Sequence, residues 1–188
     1  MALSKIDIEN MVTGEVNVAN GGTGLSSGTS GQFLKFTGST TLASAADNAG
    51  KLGQVLQDSH ENETDITSES FTGINLSQAI TPSATGNKVL IVVSLEGVGG
   101  HSGVSHGVLR ITKGGSELKQ FVNSSGDDND TSANFFGSSE TCVFLDSPNT
   151  TSATTYAVEC KRSNNAGAWR MNCNGSSFSS ITLLEILA

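Results

Sequence analysis

The sequence predicts an all-β protein in two parts: an extended N-terminal arm over residues 1–60 and an antiparallel, jelly-roll-like β-sandwich head over residues 61–188. Three observations predict it. Charged residues make up 15% of the 188-residue chain, with 2 Pro against 22 Gly. Disordered chains carry more charge and more proline, whereas small polar and β-branched residues suit strands joined by tight turns. Beyond residue 60, apolar runs with period-two alternation recur at near-regular spacing with turn signals between them, which is the pattern of a sandwich. Before residue 60, apolar residues come only in short bursts between Gly, Ser and Thr.

In the arm, Val12, Val16 and Val18 form one burst and "QFLKF", with Phe33, Leu34 and Phe36, another. The stretch "LASAADNAGKL" places Leu42, Ala45, Ala46, Ala49 and Leu52 at helical spacing, which predicts one short helix weakened by Gly50. No burst buries much by itself. Each fully buried aliphatic or Phe side chain contributes about 1.5–3 kcal/mol, and each ordered backbone residue costs about 1–2 kcal/mol. The arm is therefore expected to need a partner surface.

In the head, "KVLIVVSLEGV" is a strand bounded by "TGN" and "GVGG". Val89, Ile91 and Val93 mark one face and Leu90 and Val92 the other. Two apolar faces predict burial on both sides, by a second sheet or by a neighbouring subunit. The further strands are "HGVLRIT", "SELKQFV", "ANFFGSSETCVFLD", "SATTYAVECKR", "AWRMNCN" and "FSSITLLEIL". Tyr156, Val158 and Cys160 alternate with Ala157, Glu159 and Lys161, and Trp169, Met171 and Cys173 repeat the pattern after "SNNAG". These two runs read as a hairpin in which Cys160 lies opposite Trp169, so a Cys160–Cys173 bridge is not expected.

The formal charge is −8 and the largest basic cluster is Lys161 with Arg162, which argues against a nucleic-acid partner. The longest apolar run, residues 89–93, is too short to span a membrane. "MALSKIDIENMV" lacks the apolar stretch of a secretory signal. Three cysteines, Cys142, Cys160 and Cys173, make no disulfide framework and fit buried thiols in a reducing compartment.

Several motifs invite a chemical reading. "GVSHG" (103–107) matches G-x-S-x-G around Ser105, but that elbow needs a helix after it, and "VLRIT" reads as a strand. His101 and His106 lack a third metal ligand nearby. Asp127, Asp128 and Asp130 follow Gly126 instead of surrounding it, and no bidentate Glu closes a calcium loop. Glu117, Glu140, Glu159 and Glu185 are scattered, with nothing to select a catalytic pair. The reading is therefore of a binding protein with no catalytic residue, no metal site and no cofactor. His101, His106, Asp127, Asp128 and Asp130 are candidate loop residues for contact with a receptor.

Two regions resemble structural proteins of tailed-phage virions. "NVANGGTGLSSGTSGQFLKF" is similar to the GGTG linker of tail-fibre proteins. "INLSQAITPSATGNKVLIVVSLEG", "VLRITKGGSEL", "FLDSPNTTSATTYAVECK" and "SSFSSITLLEIL" resemble, in order, a C-terminal β-domain of phage fibres and spikes. The resemblance implies a virion protein, assembled in the host cytoplasm as a homotrimer. Its arm, with Val16, Val18, Gly21, Gly22, Gly24, Phe33 and Phe36, would dock on capsid or tail proteins, and its head would meet a cell-surface glycan or protein. It also allows a capsid or tail-junction decoration protein with no receptor role. The family carries no catalytic motif. Long shafts are usual in tail fibres, and here a short arm stands in their place.

Overall fold

The computed structural model describes residues 29–39, 41–45, 51–101, 106–123, 138–163, 167–172 and 177–188. The chain divides into two units, Met1–Asn48 and Ala49–Ala188. In the first unit, β1 (Phe33–Phe36) pairs antiparallel with β2 (Leu42–Ala45), Phe33 opposite Ala45 and Phe36 opposite Leu42. Leu42 and Ala45, read above as part of a helix, are thus in a strand. Four-residue registry with the apolar β1 run satisfies their backbone groups, which a single weak helical turn ending at Gly50 would leave open.

The second unit contains β3 (Leu52–His60), β4 (Thr64–Ile66), β5 (Thr72–Ile80), β6 (Lys88–His101), β7 (His106–Lys113), β8 (Ser116–Asn123), β9 (Ser138–Asp146), β10 (Thr154–Ser163), β11 (Ala168–Met171) and β12 (Ser179–Ile186). One sheet has the order β5-β10-β7-β8. The other runs β3-β12-β6-β11-β4, with β9 also paired to β6. Asn172 N donates to Glu96 O and Glu96 N to Ser179 Oγ, which places the β11–β12 junction alongside β6. β11 therefore prolongs β12 on one flank of β6, as β4 prolongs β3, while β9 takes the other flank. Counted by columns, two four-column antiparallel sheets face each other in jelly-roll order, as the sequence predicts.

The head begins earlier than residue 61. Strand β3 lies wholly within the residues assigned to the arm, yet Leu56 pairs with Leu183 and packs on the core. The reason is the long β3–β12 ladder: its nine-residue strand satisfies its backbone only beside β12. The hairpin read between residues 154 and 173 is also corrected. β10 pairs with β5 and β7, whereas β11 pairs with β4 and β6, so the chain crosses from one sheet to the other. Tyr156, Val158 and Cys160, like Trp169 and Met171, are buried as expected, but against different neighbours, and Cys173 lies outside the described residues.

The core fills the space between the sheets. Val89, Ile91, Val93, Leu95 and Val98 of β6 meet Ile181 and Leu183 of β12 on one side, and Leu76, Leu109, Ile111, Tyr156 and Val158 on the other. Cys142 and Cys160 are buried free thiols, each shifted up by loss of hydration. Two glycines are required by geometry. Gly114 and Gly115 have φ of 56° and 82° and close the β7–β8 hairpin between Lys113 and Ser116, the primed turn that L side chains resist. Gly107 lies beneath Trp169: a β-carbon there would meet the indole Nε1 at 2.5 Å.

Trp169 is fully buried, so the ring has no room to retreat. Gly107→Ala is expected to destabilise the head by about 1–3 kcal/mol, read as a lower denaturant midpoint with unchanged slope. An unchanged midpoint would show that the indole moves freely.

Candidate functional site

The sandwich has two unlike ends. β6 runs from Lys88 at one end to His101 at the other, and the registers of its neighbours place the remaining strand ends relative to it. Residues 51–52 and 186–188 meet at the first end: Leu52 pairs with Ile186, Leu187 N donates to Lys51 O, and Ala188 N donates to Asn87 Oδ1. At the second end lie His101 opposite Ala168, His106 opposite Ser163, Gly107 opposite Asn123 and Val98 opposite Ser138. The connections 102–105, 124–137 and 164–166 all start and finish there.

Polar clusters tie the first end together. Glu185 is buried, and its carboxylate accepts from Ser83 N at 2.6 Å, Ser83 Oγ at 2.8 Å, Asn87 Nδ2 at 2.7 Å and Gln54 Nε2 at 3.0 Å. Burial by itself would raise this carboxyl, but the four donors outweigh it and hold the group at about 2 against an ordinary 4.5. Nearby, Asp146 at the end of β9 accepts from Tyr156 Oη at 2.6 Å and from Lys113 Nζ at 2.9 and 3.1 Å. Asp146 belongs to one sheet and its two partners to the other, so the cluster joins them. Burial, then Asp146, pushes the Tyr156 hydroxyl far up, so it remains a donor. Sequence reading missed both clusters: Asp146 and Glu185 each follow an apolar run, a signal for a carboxylate at a strand's end but not for its partners.

The candidate residues divide as follows. His101 and His106 flank the connection 102–105 and stand on strands of different sheets. The Nδ1 of His106 is buried without a hydrogen-bond partner among the described residues. Asp127, Asp128 and Asp130 lie outside the described residues, between Asn123 and Ser138 in the sequence. Ser105 is also outside them, and the residues after it enter β7, a strand. Val16, Val18, Gly21, Gly22 and Gly24 lie outside as well. Phe33 and Phe36 are on β1, 62% and 64% exposed, beside Leu34 at 56%. A two-stranded hairpin showing three large apolar side chains to water is marginal alone.

Two of the carboxylates weighed for catalysis, Glu117 and Glu159, pair with one guanidinium. Arg110 binds Glu159 at 2.6 Å and Glu117 at 3.4 Å, and its guanidinium lies 4.0 Å from the centre of the Phe71 ring, which Lys161 approaches at 4.9 Å. Among the described residues no three His, Cys, Asp or Glu side chains form a group able to hold a metal, and no helix is long and apolar enough to cross a membrane.

No protein-family model matches the chain, and no curated protein matches it. Similar solved structures include a subunit of Bacillus endospore appendages, described as disulfide-linked pili, at 12% identity and a TM-score of 0.34, covering 77% of this chain and 96% of that one. Infectious bursal disease virus, Gx strain, is similar at 10% identity and a TM-score of 0.40, covering 82% of this chain and 40% of that one. The VP2 subviral particle of that virus gives 11% and 0.36, covering 82% and 41%. The chain thus spans well under half of the viral proteins it is similar to.

Glu185 makes stability depend on pH. Its folded-state value lies below its unfolded one, so its contribution is complete above about 4.5 and is lost as pH falls toward about 2. Glu185→Gln is expected to cost about 1–3 kcal/mol at neutral pH and to flatten the loss of stability across that acid range in denaturant melts. Parallel pH profiles for the two proteins would contradict this.

Proposed function

We propose that this chain is a structural protein of a tailed-phage virion, a short tail fibre or spike that docks by its N-terminal arm and presents the jelly-roll head to the host surface. The observation that carries the reading is the opposition of the two ends. The chain enters the sandwich at the end that Glu185 and Asp146 tie together, next to the carboxyl terminus. The longest connection, 124–137, which contains Asp127, Asp128 and Asp130, leaves from the other end. A body tied by polar clusters at one end and carrying its longest connection at the other suits a protein that is held on a particle and reaches outward, since loops carry recognition while the scaffold positions them. The exposed apolar residues of β1 support the arm as the docking element. The function is binding, with no catalytic residue, and the partners are further copies of the chain, particle proteins and a surface glycan or protein.

A decoration protein with no receptor role is the second reading. The aliphatic outer face of the sheet that contains β12, described below, favours it, because lateral contact in a lattice needs such a surface.

Three experiments test these readings. A chain starting at Ala49 retains β3 and is expected to give a cooperative, β-rich melt yet fail to incorporate into particles. A chain starting at Thr64 lacks β3 and is expected not to fold. Normal incorporation of the Ala49 chain would remove the arm as the anchor. Labelled full-length protein that binds host cells favours the spike; saturation of purified capsids without cell binding favours decoration. Ser105→Ala is expected to leave fold, assembly and any hydrolysis in an esterase assay unchanged, and a loss of hydrolysis would overturn the binding-only reading.

A further inference from the structure

Strand alternation sends Val89, Ile91 and Val93 inward and Leu90 and Val92 outward, where neither described sheet covers them. The registers extend that outward face over four strands. One row is Val55, Leu184, Leu90 and Leu145; the next is Gln57, Thr182, Val92 and Val143. On one side of these lie Leu52, Ile186 and Lys88, and on the other Ser59, Ser180, Ser94 and Thr141. Leu52, Val55, Val143 and Leu145 are 55%, 56%, 60% and 49% exposed. Eight aliphatic side chains therefore form one continuous surface in a chain whose other outward sheet face carries Arg110, Glu159, Glu117 and Lys161. Apolar patches of this extent on soluble proteins mark contact sites.

We propose that this face is the contact between two copies of the chain, packed sheet on sheet with the same face on both sides. Three arguments select a second copy. The first is charge. At −8 the chain repels itself, but these four rows hold no carboxylate and one cation, Lys88, so two copies approach here without opposing like charges in bulk. The second is area. Strands about 4.8 Å apart and same-face residues about 6.8 Å apart make the face roughly 19 by 27 Å, on the order of 500 Å². Two copies bury on the order of 1,000 Å², the size at which a specific interface begins. The third is self-complementarity. A two-fold axis through the face lays the row containing Lys88 over the hydroxyl row of Ser59, Ser180, Ser94 and Thr141, whose oxygens accept its protons, and sets the two central rows against each other. Aligned sheets pack in this way about 10 Å apart.

The inference does not depend on the virion reading, and its test uses the full chain. Sedimentation at micromolar concentration is expected to give an even number of chains, two in the simplest case. Val143→Glu and, on a different strand, Val55→Glu are each expected to halve that mass with unchanged far-ultraviolet dichroism, because both positions face water in the single chain. Gln120→Glu, on the four-stranded sheet, is expected to leave the mass unchanged. A single chain, an odd number of chains, or an even number that neither face variant halves overturns the proposal. So does a mass that Phe33→Ser with Phe36→Ser lowers while the face variants do not, since the contact would then be made by the β1–β2 hairpin and not by this face. Should one face variant fail to fold, the other decides.

Discussion

The last strand of the chain joins the first strands of the head to its middle. Strand β12 lies between β3 and β6, exchanging backbone hydrogen bonds with both along almost its whole length. Without it, β3 would have no neighbour and β6 would lose one flank. The two apolar side chains that β12 sends inward, Ile181 and Leu183, are fully buried and contact the same core as Ile91 and Val93. The same strand delivers Glu185 to its four donors on β3 and on the loop after β5. Sheet, core and polar tie all close only when the carboxyl-terminal residues arrive. Such non-local closure makes jelly rolls slow to fold relative to folds built from local contacts.

That closure also determines which surfaces remain. With β12 and β6 side by side, Leu184 and Leu90 are pushed to the outside together, flanked by Val55 and Leu145. None of these side chains is unusual by itself, since single exposed aliphatics are common. Their alignment in adjacent rows makes them a surface. On the opposite sheet the corresponding positions are held by a network around Arg110, in which two carboxylates and the Phe71 ring surround one guanidinium. One outer face is therefore suited to water and the other to a partner.

The ends of the sandwich differ for a related reason. Burying Asp146 and Glu185 requires that each find donors, because an unpaired buried carboxylate is costly. Those donors come from separate segments: Lys113 and Tyr156 for one, Gln54, Ser83 and Asn87 for the other. The Glu185 cluster thereby holds the 81–87 connection against the strands. At the far end, the strands extend to Gly100, His101 and Ser163, and the connections that leave there include the longest, 124–137. Variation in those connections would disturb neither carboxylate.

Much of this was legible in the residues. Period-two alternation located β6, β7, β8, β10 and β12, because the alternation is a property of the strand itself. Gly114 and Gly115 of the β7–β8 hairpin answer a local demand too, since both positions need positive φ. The two apolar faces of residues 89–93 are likewise a property of the strand, and the fold buries the face of Val89, Ile91 and Val93 while Leu90 and Val92 stay on the outside. What only the tertiary structure decided was pairing. Alternation says that Tyr156 and Trp169 face inward but not that their strands belong to opposite sheets, and the short "SNNAG" link suggested a hairpin that the fold does not make. Likewise, nothing between residues 52 and 60 separates an arm from a strand until β12, more than a hundred residues later, supplies its hydrogen bonds. A strand's faces are written within it, whereas its neighbours are chosen by the whole chain, because the groups that pair and the side chains that bury them lie far apart in sequence.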